Sequence, residues 1–129
     1  MSKLRVPIIC IIIGEGSSGG ALAIGVGDEI IMLENAVYSV LSPEGFASIL
    51  WKDSTRAKEA AEIMKMTAGD LKKLNIIDKI LKEPEGGAQN DVAEMSAAIK
   101  KEIIASLKEL THLDEDTLLE QRYEKFRNM

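Results

Sequence analysis

Residues 6–23 read VPIICIIIGEGSSGGALA, from Val6 to Ala23, and the reading of this stretch decides the fold. Val6 to Ile13 is an unbroken apolar run without alternation, the pattern of a central strand buried on both faces in a parallel or α/β sheet. The run ends in a cluster where six of the seven residues from Gly14 to Gly20 are Gly or Ser. A packed core has no need of such a cluster, whereas a backbone that must come close to a ligand does. A strand that turns straight into a helix also exposes several backbone N–H groups at the helix N-terminus, where they can hold a negative charge.

Working outward, a short helix is predicted from Ser18 or Gly19 to Gly27. Gly25 and Gly27 limit it to about two turns, because each Gly destabilises a helix interior by roughly 1 kcal/mol. Glu29 to Leu33 and Val37 to Leu41 read as strands separated by the turn-like Glu34-Asn35-Ala36. Ser42-Pro43-Glu44 is a helix start, with Ser as N-cap, Pro at the first helical position and an acid in the first turn. That helix runs through Trp51. Asp53 caps the next one, whose Ala57, Ala60, Ala61 and Met64 make a small-residue face. Thr67 to Asp70 opens a further short helix with a capping-box pattern, and Ile76 to Leu81 reads as a last strand before the loop at Pro84 to Gly87.

The clearest helix spans 91–110. Asp91 and Glu94 resemble a capping box, and Val92, Met95, Ile99, Ile103, Leu107 and Leu110 fall on one face. A charged helix over 114–127 carries few apolar residues beyond Leu118, Leu119, Tyr123 and Phe126, which predicts packing on something outside its own core. The fold class is α/β. A central-type strand so near the start needs neighbours on both sides, and the few strands here supply them poorly. The expectation is a piece of a larger fold or of an assembly.

The 129 residues suffice for one domain with a real core. A net charge of -5 argues against non-specific nucleic-acid binding and, weakly, against anionic membranes. The longest apolar run is too short to cross a bilayer, and its β-branched character ending in Gly-Glu-Gly is wrong for a signal peptide. The single Cys10 excludes an intrachain disulfide and fits a reducing, cytoplasmic setting. With one Cys and one His, no metal site is expected from this chain alone.

The glycine cluster fits three motifs. Gly14-x-Gly16-x-x-Gly19 matches the dinucleotide fingerprint, with Glu34 near the place of a ribose-binding acid, but the helix between is short for that crossover. Gly16-x-Ser18-x-Gly20 matches the nucleophile elbow of a serine hydrolase using Ser18, for which the distant His112 is the only base. The third reading is an oxyanion hole of backbone amides with no side chain moving a proton. A tight turn without a ligand is the plain alternative. Glu15 has no partner acid and reads as a helix N-terminal charge. Tyr38 and Trp51 read as core or interface aromatics. The Lys72-Lys73 and Lys100-Lys101 pairs read as solvated helix faces, and the methionines as core filler.

Taken in order, VPIICIIIGEGSSGGALAIGVGDEIIMLENAVYSVLSPEGFASILWKD, Ala57-Lys58 and TAGDLKKLNIIDKILKEPEGGAQND resemble the C-terminal part of the carboxyltransferase alpha subunit of bacterial acetyl-CoA carboxylase, from about Val6 to Asp91. The two C-terminal helices agree in character only. The SPEG–ILWKD and EPEGGAQND blocks are far more distinctive than the glycines. The resemblance implies a crotonase-like spiral of ββα units, incomplete at the N-terminus, with 1–129 as the C-terminal part of that domain. It implies carboxyl transfer from carboxybiotin, carried on a biotin carboxyl carrier protein, to acetyl-CoA, giving malonyl-CoA for fatty acid synthesis within an ATP-binding, nucleotide-binding carboxylase. It further implies a beta-subunit partner in an α2β2 assembly. Carried over by position, the amides facing the biotin ureido oxygen fall on Gly16, Ser17, Gly19 and Gly20. The family usually has Gly where this chain has Ser17, and a Cβ there restricts φ. Family members also extend further at the N-terminus, so the resemblance implies a fragment or split-gene product. The alternatives are the Ser18 hydrolase and a non-catalytic interaction fragment.

Overall fold

The computed structural model describes residues 1–129. Its strands are β1 (Ile9–Ile12), β2 (Glu15–Ser17), β3 (Glu29–Leu33), β4 (Val37–Ser39) and β5 (Lys79–Leu81). Its helices are α1 (Ser18–Ile24), α2 (Pro43–Trp51), α3 (Ala57–Met64), α4 (Ala68–Lys73), α5 (Val92–Leu110) and α6 (Glu115–Arg127), with a 3₁₀ turn over Ser54–Arg56 before α3. Two sheets result, one ordered β1-β3-β5 and one of β2-β4, and every strand pairing in them is parallel. Successive units follow one plan: a strand in the first sheet, a strand in the second, then helix. β1–β2–α1 is followed by β3–β4–α2, and β5 extends the first sheet again.

The α/β class agrees with the sequence reading, but the central strand is not the expected one. β3 is buried at every position, with Ile30, Ile31, Met32 and Leu33 at the core. β1 lies at the edge of its sheet, and the ends of the apolar run stay exposed, Val6 at 57% and Ile13 at 69%. Apolar composition marks what a strand can bury; neighbours on both sides decide what it does bury. β1 is also shorter than predicted. Pro7 has no N–H to give a ladder, and the Ile8 N–H donates to the Asp28 carboxylate at 2.7 Å. Likewise β4 stops at Ser39, whose hydroxyl donates to the Leu41 carbonyl at 2.7 Å and bends the chain. β5 starts late because Asn75 adopts a left-handed φ of 58° and the Ile76 N–H closes α4 onto the Leu71 carbonyl.

The predicted helix starts hold. Ser42, Thr67, Asp91 and Asp114 each accept a first-turn backbone N–H, on Gly45, Asp70, Glu94 and both Asp116 and Thr117 respectively. Asp53 caps the 3₁₀ turn rather than α3 itself. Ala60, on the predicted small-residue face of α3, is fully buried. Trp51 meets Phe46 edge-on at 6.0 Å, and the Arg56 guanidinium lies 4.0 Å over its ring.

The two C-terminal helices depart from the sequence reading in a common way. On α5, Met95 is buried and Ile99 packs on the core, but Val92 is 66% exposed and Leu107 38%. The inner face is completed by polar groups: Lys79 reaches Glu102 at 2.7 Å and the fully buried Ser106 at 3.5 Å, and it also pairs with Glu29 at 2.5 Å. Burial works against the Lys79 charge, yet the hydrogen bonds to Glu102 and Glu29 outweigh it and raise the ammonium above its ordinary value. α6 packs on its own chain, not outside it. Leu118 and Arg122 are buried, and Phe126 lies against the core. The Arg122 guanidinium donates to Asp28 through Nε and Nη2, both at 2.8 Å, and to the carbonyls of Leu4 at 2.7 Å and Val6 at 2.9 Å. Lys125 pairs with Asp78 and donates to the Asp28 carbonyl at 3.0 Å. This charged helix is therefore a polar clamp on the segment before β1 and the loop before β3.

Candidate functional site: the glycine-rich turn

The glycine cluster does not run from one strand straight into a helix. Gly14 leaves β1, a three-residue strand (β2) intervenes, and α1 starts at Ser18. That short strand divides the four predicted amide donors. In the register Glu15↔Val37, Gly16↔Tyr38, Ser17↔Ser39, the Val37 N–H donates to the Gly14 carbonyl at 3.0 Å. The parallel pattern then commits the Gly16 N–H to the Val37 carbonyl and the Ser18 N–H to Ser39. Gly16 is thus a ladder donor, a correction to its place among the anion-facing amides. Ser17, Gly19 and Gly20 are placed differently. The Ser17 N–H points away from β4, and those of Gly19 and Gly20 belong to the first turn that every α-helix leaves without an internal acceptor.

The side chains around these amides leave them open. Ser17, the N-cap, forms no side-chain bond to the helix. A Cβ placed on Gly19 or Gly20 would meet nothing within 4 Å, whereas one on Gly16 would crowd Tyr38 at 3.1 Å and Ile12 at 3.2 Å. Gly16 sits tightly against its neighbours; Gly19 and Gly20 do not. Ser17 has φ -135°, an extended conformation open to any residue, so its Cβ brings no strain. The left-handed residue is its neighbour Ser18, at φ 71°, which swings the chain from β2 into α1. Such a conformation costs a non-glycine residue roughly 1–2 kcal/mol.

Of the titrating side chains at the turn, Glu15 is exposed on β2, and Cys10 and Tyr38 are buried. Cys10 donates to the Ile24 carbonyl at 3.1 Å and Tyr38 to the Ala21 carbonyl at 3.3 Å, and burial pushes both groups above their ordinary pKa, so neither ionises near neutrality. Ser18 is exposed and its hydroxyl makes no hydrogen bond, while His112 sits exposed in the turn between α5 and α6, hydrogen-bonded through its backbone only. The elbow has its strained serine without a base. Glu34 of the dinucleotide pattern, in the β3–β4 turn, accepts the N–H of Glu83, just after β5, at 3.1 Å, a structural role. No three His, Cys, Asp or Glu side chains cluster as metal ligands.

Beside the turn, an apolar groove of about 450 Å³ follows the outer side of β1, lined among others by Ile9, Ile11, Ile13, Gly14, Gly16 and Tyr38. It reaches the mouth of the glycine turn but is not lined by Ser17, Gly19 or Gly20. The arrangement can hold a developing anion on fixed amides that need not reorganise. It has no means of its own to move a proton.

Comparison with known proteins places the chain. The model of the family described as acetyl co-enzyme A carboxylase carboxyltransferase-like matches residues 1–129. The acetyl-coenzyme A carboxylase carboxyl transferase subunit alpha of Clostridium perfringens (strain SM101) is 62% identical over 126 residues, covering 98% of this chain and 46% of that protein. The subunit alpha of Clostridium acetobutylicum is 57% identical over 129 residues, covering 100% and 47%. A Natranaerobius thermophilus protein named as the carboxyl transferase subunits beta/alpha is 59% identical over 129 residues, with 21% of its length covered. The chain spans about half the length, or less, of the curated relatives it matches. Matched from Met1 to Met129, it belongs to the acetyl-CoA carboxylase carboxyltransferase-like family.

Proposed function

We propose that this chain supplies the carboxybiotin side of an acetyl-CoA carboxylase carboxyltransferase, as the C-terminal part of an alpha-type subunit. The observation that carries the reading is the pair of amides on Gly19 and Gly20, with open space where side chains would stand. Carboxybiotin supplies the carboxyl group, whose departure leaves negative charge on the ureido oxygen. The amides of Ser17, Gly19 and Gly20 would face that oxygen. Each fixed donor lowers such a barrier by roughly 3–4 kcal/mol. The missing side chains at residues 19 and 20 would let a fused ring approach the backbone.

The reading extends to the fold and the assembly. The repeated strand–strand–helix plan, with both sheets growing in parallel, supports a crotonase-like spiral of ββα units. The fused beta/alpha relative supports a beta-type partner, which would hold acetyl-CoA and form malonyl-CoA. A biotin carrier protein would deliver the carboxyl group to an α2β2 assembly in the cytoplasm, serving fatty acid synthesis. No helix here is long and apolar enough to cross a membrane.

The test is reconstitution of carboxyl transfer from carboxybiotin to acetyl-CoA with a beta subunit and the remaining alpha-type sequence. Gly19→Val keeps the backbone N–H but stands a branched side chain in the open space beside it; by holding the ureido oxygen off that donor it should lower the rate by about 10²-fold, the scale of one lost oxyanion contact. An unchanged rate overturns the assignment. Assembly with the beta subunit but no turnover, in the unsubstituted protein, would leave an interaction fragment.

A further inference from the structure

Helix α1 has little of its own to hold it in place. It is seven residues long, begins with Ser-Gly-Gly, has no side-chain cap and buries none of its residues. A helix that short is marginal in water and depends on packing of an apolar face. Yet Leu22 and Ile24 are exposed, and of its residues Ala21 alone packs on the core. Two buried side chains meet it instead, one from each sheet. The Tyr38 hydroxyl, on β4, donates to the Ala21 carbonyl at 3.3 Å, and the Cys10 thiol, on β1, donates to the Ile24 carbonyl at 3.1 Å. Ala21 and Ile24 are three residues apart, so both bonds reach one face of the helix. Burial keeps both groups protonated through neutral pH, so each retains the hydrogen it donates.

Tyr38 also packs as a wedge. Its ring lies against Gly16 in β2, where a Cβ would stand 3.1 Å from Cδ2, and its hydroxyl occupies the space beside Gly25, where a Cβ would run into Oη. The residue itself is fixed: β4 pairs with β2 through Gly16↔Tyr38, and the Tyr38 N–H donates to the Met66 carbonyl at 3.1 Å. One rigid phenol therefore touches the strand before the turn, a carbonyl one residue beyond Gly20, and the residue that ends the helix. Gly19 and Gly20 lie between these contacts.

We propose that Tyr38 is a positioning residue for the glycine turn: wedged between Gly16 and Gly25 and hydrogen-bonded to Ala21, it fixes where α1, and with it the N–H groups of Gly19 and Gly20, stands relative to the two sheets. The proposal deepens the carboxybiotin reading and rests on it for its effect on rate. Tyr38 is buried with its proton committed to Ala21, so it acts through placement and not on the reacting atoms. Fixed donors stabilise a developing anion only at hydrogen-bond distance from where the charge arises, and a misplacement on the order of 1 Å costs about 10²-fold in rate. Cys10 anchors the far end of α1 and has the weaker hold on the glycines.

Tyr38→Phe keeps the wedge and removes the hydroxyl. The Ala21 carbonyl retains the Gly25 N–H at 2.8 Å, so no buried group is orphaned and the chain should melt close to the parent. The amide NMR signals of Gly19 and Gly20 should nevertheless move. In the reconstituted carboxyl-transfer assembly, kcat should fall about tenfold while KM for carboxybiotin changes less than about twofold, the mark of an interaction made only in the transition state. A second variant tests the wedge from the other side. Gly25 has φ -69°, which alanine adopts freely, but Gly25→Ala drives a methyl into the Tyr38 hydroxyl. In the parent it should displace α1 and lower kcat. In the Tyr38→Phe background the oxygen is gone and the methyl takes its place, so the same change should cost at least about threefold less. A tyrosine that served stability alone would not couple to Gly25 in kcat.

Unmoved Gly19 and Gly20 signals in Tyr38→Phe, or an equal cost of Gly25→Ala in the two backgrounds, would overturn the proposal. Moved signals with an unchanged kcat would overturn it too, and would leave the carboxybiotin reading standing. An unsubstituted assembly that transfers no carboxyl group would sink that reading instead, and the amide signals then decide by themselves whether Tyr38 places α1.

Discussion

The two ends of α1 are built from the same residue types and are opposite in kind. At its start, Ser17 gives no side-chain cap, and a Cβ on Gly19 or Gly20 would meet nothing within 4 Å. At its end, the Gly25 N–H donates to Ala21 at 2.8 Å, the Gly27 N–H to Gly25 at 3.1 Å and the Asp28 N–H to Ile8 at 2.8 Å. The Asp28 carboxylate then gathers the Ile8 N–H and the Arg122 guanidinium. A Cβ on Gly27 would lie 2.7 Å from Cys10 Sγ and 2.9 Å from the Ile8 carbonyl. Glycine at the closed end makes room for the protein itself. Glycine at the open end has open space beside it that no part of the chain fills.

The largest effect that would sharpen this contrast comes from breaking the closed end. Arg122→Met should destabilise the chain by about 3–5 kcal/mol, because it leaves Asp28 a buried charge without its partner. It also strips a donor from the carbonyls of Leu4 and Val6. Replacing both members with Asp28→Asn and Arg122→Met should recover part of the loss, since a missing pair costs less than half a pair. Urea denaturation of the three proteins measures both quantities. A loss near that of an ordinary surface substitution for Arg122→Met would show the clamp to be ornamental.

Next in size is a matched pair of single methyl groups. Gly27→Ala should cost about 1–3 kcal/mol by forcing Cys10 or the Ile8 backbone aside. Gly19→Ala should do the reverse, raising stability by up to about 1 kcal/mol through helix propensity alone, while slowing carboxyl transfer in the reconstituted assembly. Thermal melts and the transfer assay read the two signs separately. If both variants shift stability in the same direction, the distinction between the two ends fails.

How far the sequence could be read follows the same division. The boundaries of β3 and α2, and the caps at Ser42, Thr67 and Asp91, were legible because hydrophobic runs and capping side chains act over a few residues. Strand β2 was not, because Glu-Gly-Ser carries no apolar signal and forms only through its pairing with β4. The resemblance placed Gly16 among the anion-facing amides, whereas the β2–β4 register turns its N–H toward β4. The edge position of β1 was hidden for a related reason: composition cannot tell which of two apolar strands has a second neighbour. Arg122 and Asp28 lie 94 residues apart, and nothing local distinguishes this arginine from the solvated charges around it. The open space beside Gly19 and Gly20 is likewise a local property.

The smallest effect concerns acid. Unlike α1, α6 starts on a capping carboxylate: Asp114 accepts the N–H groups of Thr117 at 2.9 Å and Asp116 at 3.1 Å, and the Thr117 hydroxyl at 2.6 Å. The Thr117 hydrogen bonds hold Asp114 below the usual carboxylate range. Glu83 is also lowered, since the backbone N–H groups of Asn35 and Ala88 outweigh the opposing burial. A depressed folded pKa contributes stability above the unfolded value of about 4 and loses it as pH falls through the folded one. Stability should thus be flat in these groups from neutrality to about pH 5 and decline below about pH 4. Asp114→Asn keeps an acceptor at the cap but cannot titrate. Its urea midpoint should lie close to the parent's near neutrality and fall less steeply in acid, so that the parent loses its advantage as the carboxylate protonates. An advantage for the parent that grows with acidity would show that the charge at this cap is not what holds the start of α6, and the contrast with the uncapped start of α1 would lose its electrostatic basis.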